Sequence, residues 1–226
     1  MDSVPEAFAQ LTMSELGAPR HGRFSLFLSG GSTAQECYAR LAGLGAARTD
    51  LGWSGVDVYL GDERCVPPDD PDSNHRMIAE TLLAAVGPVG SDNPMYQSGT
   101  PAEAALRYQD TIGRLARFDL VHLGLGPDGH TASLFPGSPA LTVEDPEVLV
   151  VANRDPRANN PHDRITLTLP AIARARLVVF TVSGSSKRDA LGGIIGGADL
   201  PASHVDADRV VWLVDAEALG HSPLPH

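Results

Sequence analysis

Apolar runs of strand length alternate with helix-like stretches along the whole chain, and that alternation limits the possible folds more than any other feature. Strands are expected at Arg23–Leu28, Val56–Leu60, Leu120–Leu123, Val148–Ala152, Ile165–Leu169, Leu177–Val182 and Val210–Val214. A helix is expected from near Thr33 past Leu41, with Ser32 or Thr33 as its cap. Another runs through Ile78, Leu82 and Leu83 with Asp72 or Ser73 as its cap, and two more cover 102–116 and 186–195. This order implies an α/β fold: a Rossmann-like, mostly parallel sheet with helices on both faces. Ile165–Leu169 alternates apolar with polar, which suits a half-exposed or edge strand. No repeat or low-complexity linker divides the 226 residues, so a single domain is expected.

Composition narrows the partners. A net charge of −11 argues against nucleic acid, and the longest apolar runs are too short to span a bilayer. Met1–Glu6 lacks the basic start and apolar stretch of a secretory leader, and Cys37 and Cys65 alone build neither a disulfide framework nor a zinc site. A reduced, cytoplasmic protein without membrane contact is the expectation, with a monomer favoured. An anionic small molecule would need a basic pocket set against the overall field.

Four segments place polar groups after predicted strands, where open α/β sheets bind ligands. Gly124-Leu125-Gly126-Pro127-Asp128-Gly129-His130 makes a tight turn that delivers an aspartate and a histidine, the side chain best suited to proton transfer near neutral pH. Ser29-Gly30-Gly31-Ser32-Thr33 offers backbone N–H groups and a helix start to an anion, although its spacing fits neither a Walker loop nor a dinucleotide fingerprint. Gly61-Asp62-Glu63-Arg64 puts three charges at a strand exit, which must be solvated or paired. Finally, Arg164 opens one predicted strand and Lys187 opens one predicted helix. Sixteen of the seventeen basic residues are arginine, so the lone Lys187 suits a place where a compact ammonium fits and a planar fork does not.

Together these residues resemble the 6-phosphogluconolactonase family of the oxidative pentose phosphate pathway, from about Phe24 to Asp215. The matching stretches are Leu28–Thr33, Gly61–Pro67, Asp72–Asn74, Gly124–Gly137, Arg164–Thr168, and Gly184 with Lys187. Ala34, Leu60 and His75 depart from the family pattern, which bears on the first helix and the pocket lining. The resemblance implies hydrolysis of a phosphosugar δ-lactone, with no cofactor and no metal. It implies His130, Asp128 and Arg64 as catalytic residues, and Gly30, Gly31, Ser32, Thr33, Asp62, Arg164 and Lys187 as substrate-binding ones. Asp128 either orients the imidazole or holds the turn. The developing oxyanion is met by loop N–H groups, by Arg64, or by both.

Aminosugar-phosphate deaminase-isomerases share the Asp-Gly-His loop but carry an acidic residue five positions after the histidine, where this chain has Phe135. A non-catalytic sugar-phosphate sensor would keep Arg164 and Lys187 without needing His130. A dinucleotide oxidoreductase would need the missing fingerprint. The lactonase reading fits best.

Overall fold

The computed structural model describes residues 3–46 and 52–220. Strand β1 (Phe24–Leu28) is buried at every position, as a strand covered on both faces must be. It pairs in parallel with β2 (Val56–Leu60) on one side and β5 (Phe118–Gly124) on the other. With β4 (Ser91–Asp92), β8 (Ala175–Val182) and β9 (Val210–Val214), these make a six-stranded sheet in the order β4-β2-β1-β5-β8-β9, parallel throughout. The chain builds outward from β1, then returns to lay β5 on its other side. That reversal puts the loops after β1 and β5 beside each other.

A second, antiparallel sheet of three strands was not foreseen. It comprises β3 (Asp62–Arg64), β7 (Arg164–Leu167) and β6 (Val150–Asn153), with β7 in the middle. The expectation of a half-exposed or edge strand near Ile165 is therefore wrong. All four residues of β7 are buried, and Thr166 and Thr168 satisfy their hydroxyls internally rather than in solvent. Gly61 joins the two sheets. Its N–H donates to Leu28 of the large sheet at 2.8 Å, and its carbonyl accepts from Leu167 of the small one at 2.9 Å. One continuous core runs from Phe8 through Leu26 and Val179 to Ile165 and Leu167.

The helices follow the predicted pattern with differences at their ends, and the one expected over 102–116 stops at Ile112. The sequence reading passes over α1 (Val4–Gly17), although Val4, Phe8, Thr12 and Leu16 fall on one buried face and Ser3 caps it. Helix α2 (Ser32–Ala46) begins at Ser32 itself, so Ser32 and Thr33 are its first residues rather than its caps. Ser73 caps α3 (Asn74–Ile78), which continues through a π turn at Ala79–Leu83 into α4 (Ala84–Val86). A Thr100–Glu103 capping box starts α5 (Pro101–Ile112). The short α6 (Leu169–Ile172), α7 (Arg188–Ile195), which follows a 3₁₀ turn at Ser185–Lys187, and α8 (Ala216–Leu219) complete the set. No helix among the described residues is long and apolar enough to cross a membrane.

His122 on β5 is wholly buried between Tyr38 and Thr181, and burial alone pushes its pKa from 6.5 down to about 3. Between those values the unfolded chain binds a proton that the folded one refuses. The neutral imidazole's contribution is therefore full above about pH 6.5 and is lost progressively as pH falls toward 3. In urea titrations at pH 5 to 6.5, the wild type should lose up to about 1.4 kcal/mol more per pH unit than His122→Gln. Parallel curves would refute this.

Candidate active site

One cleft of about 270 Å³ opens at the carboxyl edge of the large sheet, where the loops after β1 and β5 meet. Ser29, Gly30 and Gly31 form one wall, Gly124–Pro127, His130 and Phe135 another, and Asp62, Arg64, Arg164 and Lys187 line it as well. The free N–H groups of the β1 loop explain part of its character. The Gly30 and Gly31 N–H groups have no acceptor among the described residues, and α2 starts at Ser32 directly behind them. A helix start with open donors favours an anion. Ser32 and Thr33 do not line the cleft, contrary to expectation. They already belong to α2.

In the β5 loop, Asp128 also stands outside the lining and acts through its neighbour. Its Oδ1 lies 2.5 Å from His130 Nδ1 and accepts from the His130 backbone N–H at 3.2 Å. Asp128 thus both orients the imidazole and holds the turn. An ionised carboxylate on Nδ1 keeps the proton there and leaves the Nε2 lone pair free. Gly126 makes room for the ring: a Cβ at that position would sit 2.1 Å from His130 Nδ1. The buried ring of Phe135 packs on the other side, 5.0 Å from the imidazole between centroids.

The small sheet supplies the cations. Arg64 on β3 and Arg164 on β7 are directly opposed across the antiparallel ladder. Like charges in that register repel. Burial, aggravated by Arg64, holds Arg164 below its ordinary pKa, while Asp62 and Glu63 oppose the shift. Nε of each arginine is buried without a partner, although Arg64 donates to Asp72 O and Arg164 to Pro161 O. Half-buried Lys187 is depressed by desolvation and supported by the charge of Asp128. Three cations line one cleft, two of them with unused donors, and such a set suits an anion.

Several lining residues escaped the sequence reading as site residues. Asn74 is buried, donates to Asp62 O at 3.0 Å and presses on Gly30, where a Cβ would meet its Oδ1 at 1.9 Å. Ser133 donates to Asp62 Oδ2 at 2.6 Å and so aims that carboxylate. Asn160 reaches the cleft from the 153–161 loop, where Asp155 accepts from both its backbone and side-chain nitrogens. The order Asp72-Ser73-Asn74 was the available signal for the first, and the proline-rich loop for the last. Glu63, left open by the sequence, caps α3: it accepts from the N–H groups of Asn74 and His75 at 2.8 Å each. Ala34, Leu60 and His75, the departures from the family pattern, do not line the cleft, and His75 pairs with Asp92 at 2.9 Å instead.

The profile of the glucosamine-6-phosphate isomerases/6-phosphogluconolactonase family matches residues 2–212. The chain belongs to this family. A 6-phosphogluconolactonase of Synechocystis sp. is 41% identical over 212 residues, covering 87% of this chain and 84% of that protein. The crystal structure of a Thermotoga maritima 6-phosphogluconolactonase superposes with a TM-score of 0.82 at 29% identity, covering 94% of this chain and 95% of that one. A monomeric glucosamine-6-phosphate deaminase superposes with a TM-score of 0.78 over 95% of this chain and 94% of that one, and at 22% identity it speaks to the fold alone. The fold by itself therefore does not separate the two activities. Among the described residues, no group of three or more His, Cys, Asp or Glu is placed to hold a metal ion.

Gly126→Ala tests how tightly the imidazole is placed. Gly126 does not adopt a positive φ, so the alanine strains no backbone and can only displace His130. Turnover should fall about 10²-fold while Tm moves by no more than about 5 °C. Near-normal kinetics would show that the ring position is unimportant.

Proposed function

We propose that this chain hydrolyses the δ-lactone of 6-phosphogluconate to the open acid, the second step of the oxidative pentose phosphate pathway, with His130 as general base. Its similar-length curated relatives are named for this activity. The observation that carries the mechanism is that His130 and the Arg64, Arg164 and Lys187 cations line one cleft. A single small substrate can bridge them.

Arg164 and Lys187, with the N–H groups of Gly30 and Gly31, grip the phosphate. Arg64 lies opposite Arg164 and is shared between the phosphate and the lactone end. His130 Nε2 takes a proton from water as the water oxygen attacks the lactone carbonyl carbon. The oxyanion that forms is met by Arg64 and by loop N–H groups. When the ring C–O bond breaks, the imidazolium returns its proton to the ring oxygen, and the products are a hydroxyl and a carboxylic acid. Asp128 steadies the imidazolium between these two transfers. Binding energy from the phosphate end positions the ester carbon for attack. No step draws on a cofactor or a metal.

The runner-up is an aminosugar-phosphate isomerase. Its proton transfers need a further carboxyl where Phe135 lays an apolar ring against the imidazole. A non-catalytic sensor leaves the Asp128–His130 pair without a purpose.

Acid release from freshly prepared lactone, with and without protein, tests the reading directly. His130→Ala should lower kcat by about 10²–10⁴-fold while phosphosugar binding persists; near-normal turnover removes the imidazole from the reaction. Lys187→Arg should chiefly raise KM, as loss of a ground-state grip does. An unchanged KM would mean that the ammonium does not hold the phosphate.

A further inference from the structure

The buried imidazole of His122 takes no part in the reaction, yet it is hydrogen-bonded at both ring nitrogens. Its Nδ1 is 2.7 Å from Tyr38 Oη and its Nε2 is 2.8 Å from Thr181 Oγ1. The Phe8 ring covers it at 4.2 Å between centroids, and Tyr38 meets it edge-on at 5.4 Å. The same Tyr38 hydroxyl accepts the Ser29 N–H at 2.7 Å and lies 3.0 Å from the Ser29 carbonyl. Ser29 lines the cleft and leads into Gly30 and Gly31. A wholly buried chain therefore runs from β8 through β5 and α2 to the mouth of the glycine loop.

Proton counting decides between two arrangements. A tyrosine hydroxyl has one proton to donate and two lone pairs to accept with. If His122 carries its proton on Nε2, it donates to Thr181, and Tyr38 must spend its only proton on Nδ1. The Ser29 carbonyl, which has no other donor among the described residues, is then left unpaired. If the proton sits on Nδ1, His122 and the Ser29 N–H both donate to the Tyr38 oxygen, and Tyr38 donates to the Ser29 carbonyl. Thr181 then donates to Nε2. Only the second arrangement pairs every group, and buried polar groups are paired as a rule.

We propose that His122, in its neutral Nδ1–H tautomer, is a positioning residue that orients the Tyr38 hydroxyl so that it clamps both backbone groups of Ser29 and sets the anion-binding loop. Because both ring nitrogens are engaged, the imidazole cannot rotate without breaking the clamp. The functional half of this proposal rests on the reading of Gly30 and Gly31 as part of the phosphate grip; the tautomer does not.

The tautomer is read from ring ¹⁵N shifts and couplings of His122 in the ligand-free wild-type protein, where a protonated Nδ1 and a bare Nε2 are expected. A protonated Nε2 overturns the proposal. Tyr38→Phe then removes the hydroxyl while keeping the ring. Amide exchange at Ser29 should speed up, and the dissociation constant for inorganic phosphate and the KM for lactone should both rise about 5- to 30-fold. The kcat should stay within about twofold. A variant with slow Ser29 exchange, or with unaltered phosphate binding, overturns the positioning role. A wild-type protein that binds phosphate but does not hydrolyse lactone instead refutes the proposed activity and leaves this clamp standing.

Discussion

Parallel pairing is the constraint on which the site depends. In a parallel sheet every strand points the same way, so the exits of β1, β2, β5 and β8 must share one edge. The reversal of strand order between β1 and β5 then leaves a crevice at that edge, because the chain departs in opposite directions on its two sides. The Ser29–Gly31 and Gly124–His130 loops occupy the crevice, and Lys187 arrives from the end of β8. None of these residues is near the others in sequence. Topology, not closeness in sequence, brings them together.

The small antiparallel sheet adds what parallel pairing cannot. Because β2 runs through Gly61 straight into β3, the chain leaves one sheet and enters another within a residue. Gly61 bonds both sheets at once. This hinge turns Asp62 and Arg64 over the crevice, and β7 then lays Arg164 beside them. The carboxylates there have separate tasks. Glu63 turns inward to cap α3, and Asp62 is aimed by Ser133 into the cleft. The run of three charges at a strand exit is thus neither a solvated turn nor one ion pair.

The large sheet was legible because period and punctuation agree there. Buried strands such as Leu177–Val182 read as unbroken apolar runs, and glycines mark their exits. The His130 loop was legible for the same reason, since each glycine and the proline has a backbone task. What escaped detection depends on long-range pairing. Ile165–Leu167 carries the alternation of a half-exposed strand, but β3 and β6 cover its two edges from far upstream and from just upstream respectively, and no local pattern announces that pairing. Ser32 and Thr33 look like caps, but the helix instead starts at Ser32, because the turn at Gly31 comes one residue earlier than the pattern suggests. Asn74, Ser133 and Asn160 are ordinary polar residues whose placement depends on tertiary contacts.

The charge distribution follows from the same geometry. A protein of net charge −11 repels an anionic substrate at long range, and salt screens that field within about 10 Å. Inside the cleft the balance inverts, because Arg64, Arg164 and Lys187 are partly desolvated and act in a medium of lower dielectric. Two opposed guanidiniums in such a medium repel, and the fields of Asp62 and Glu63 offset only part of that repulsion and of the burial. A bound phosphate dianion would relieve the remainder. Under the proposed function, the repulsion between Arg64 and Arg164 therefore favours capture of the anion.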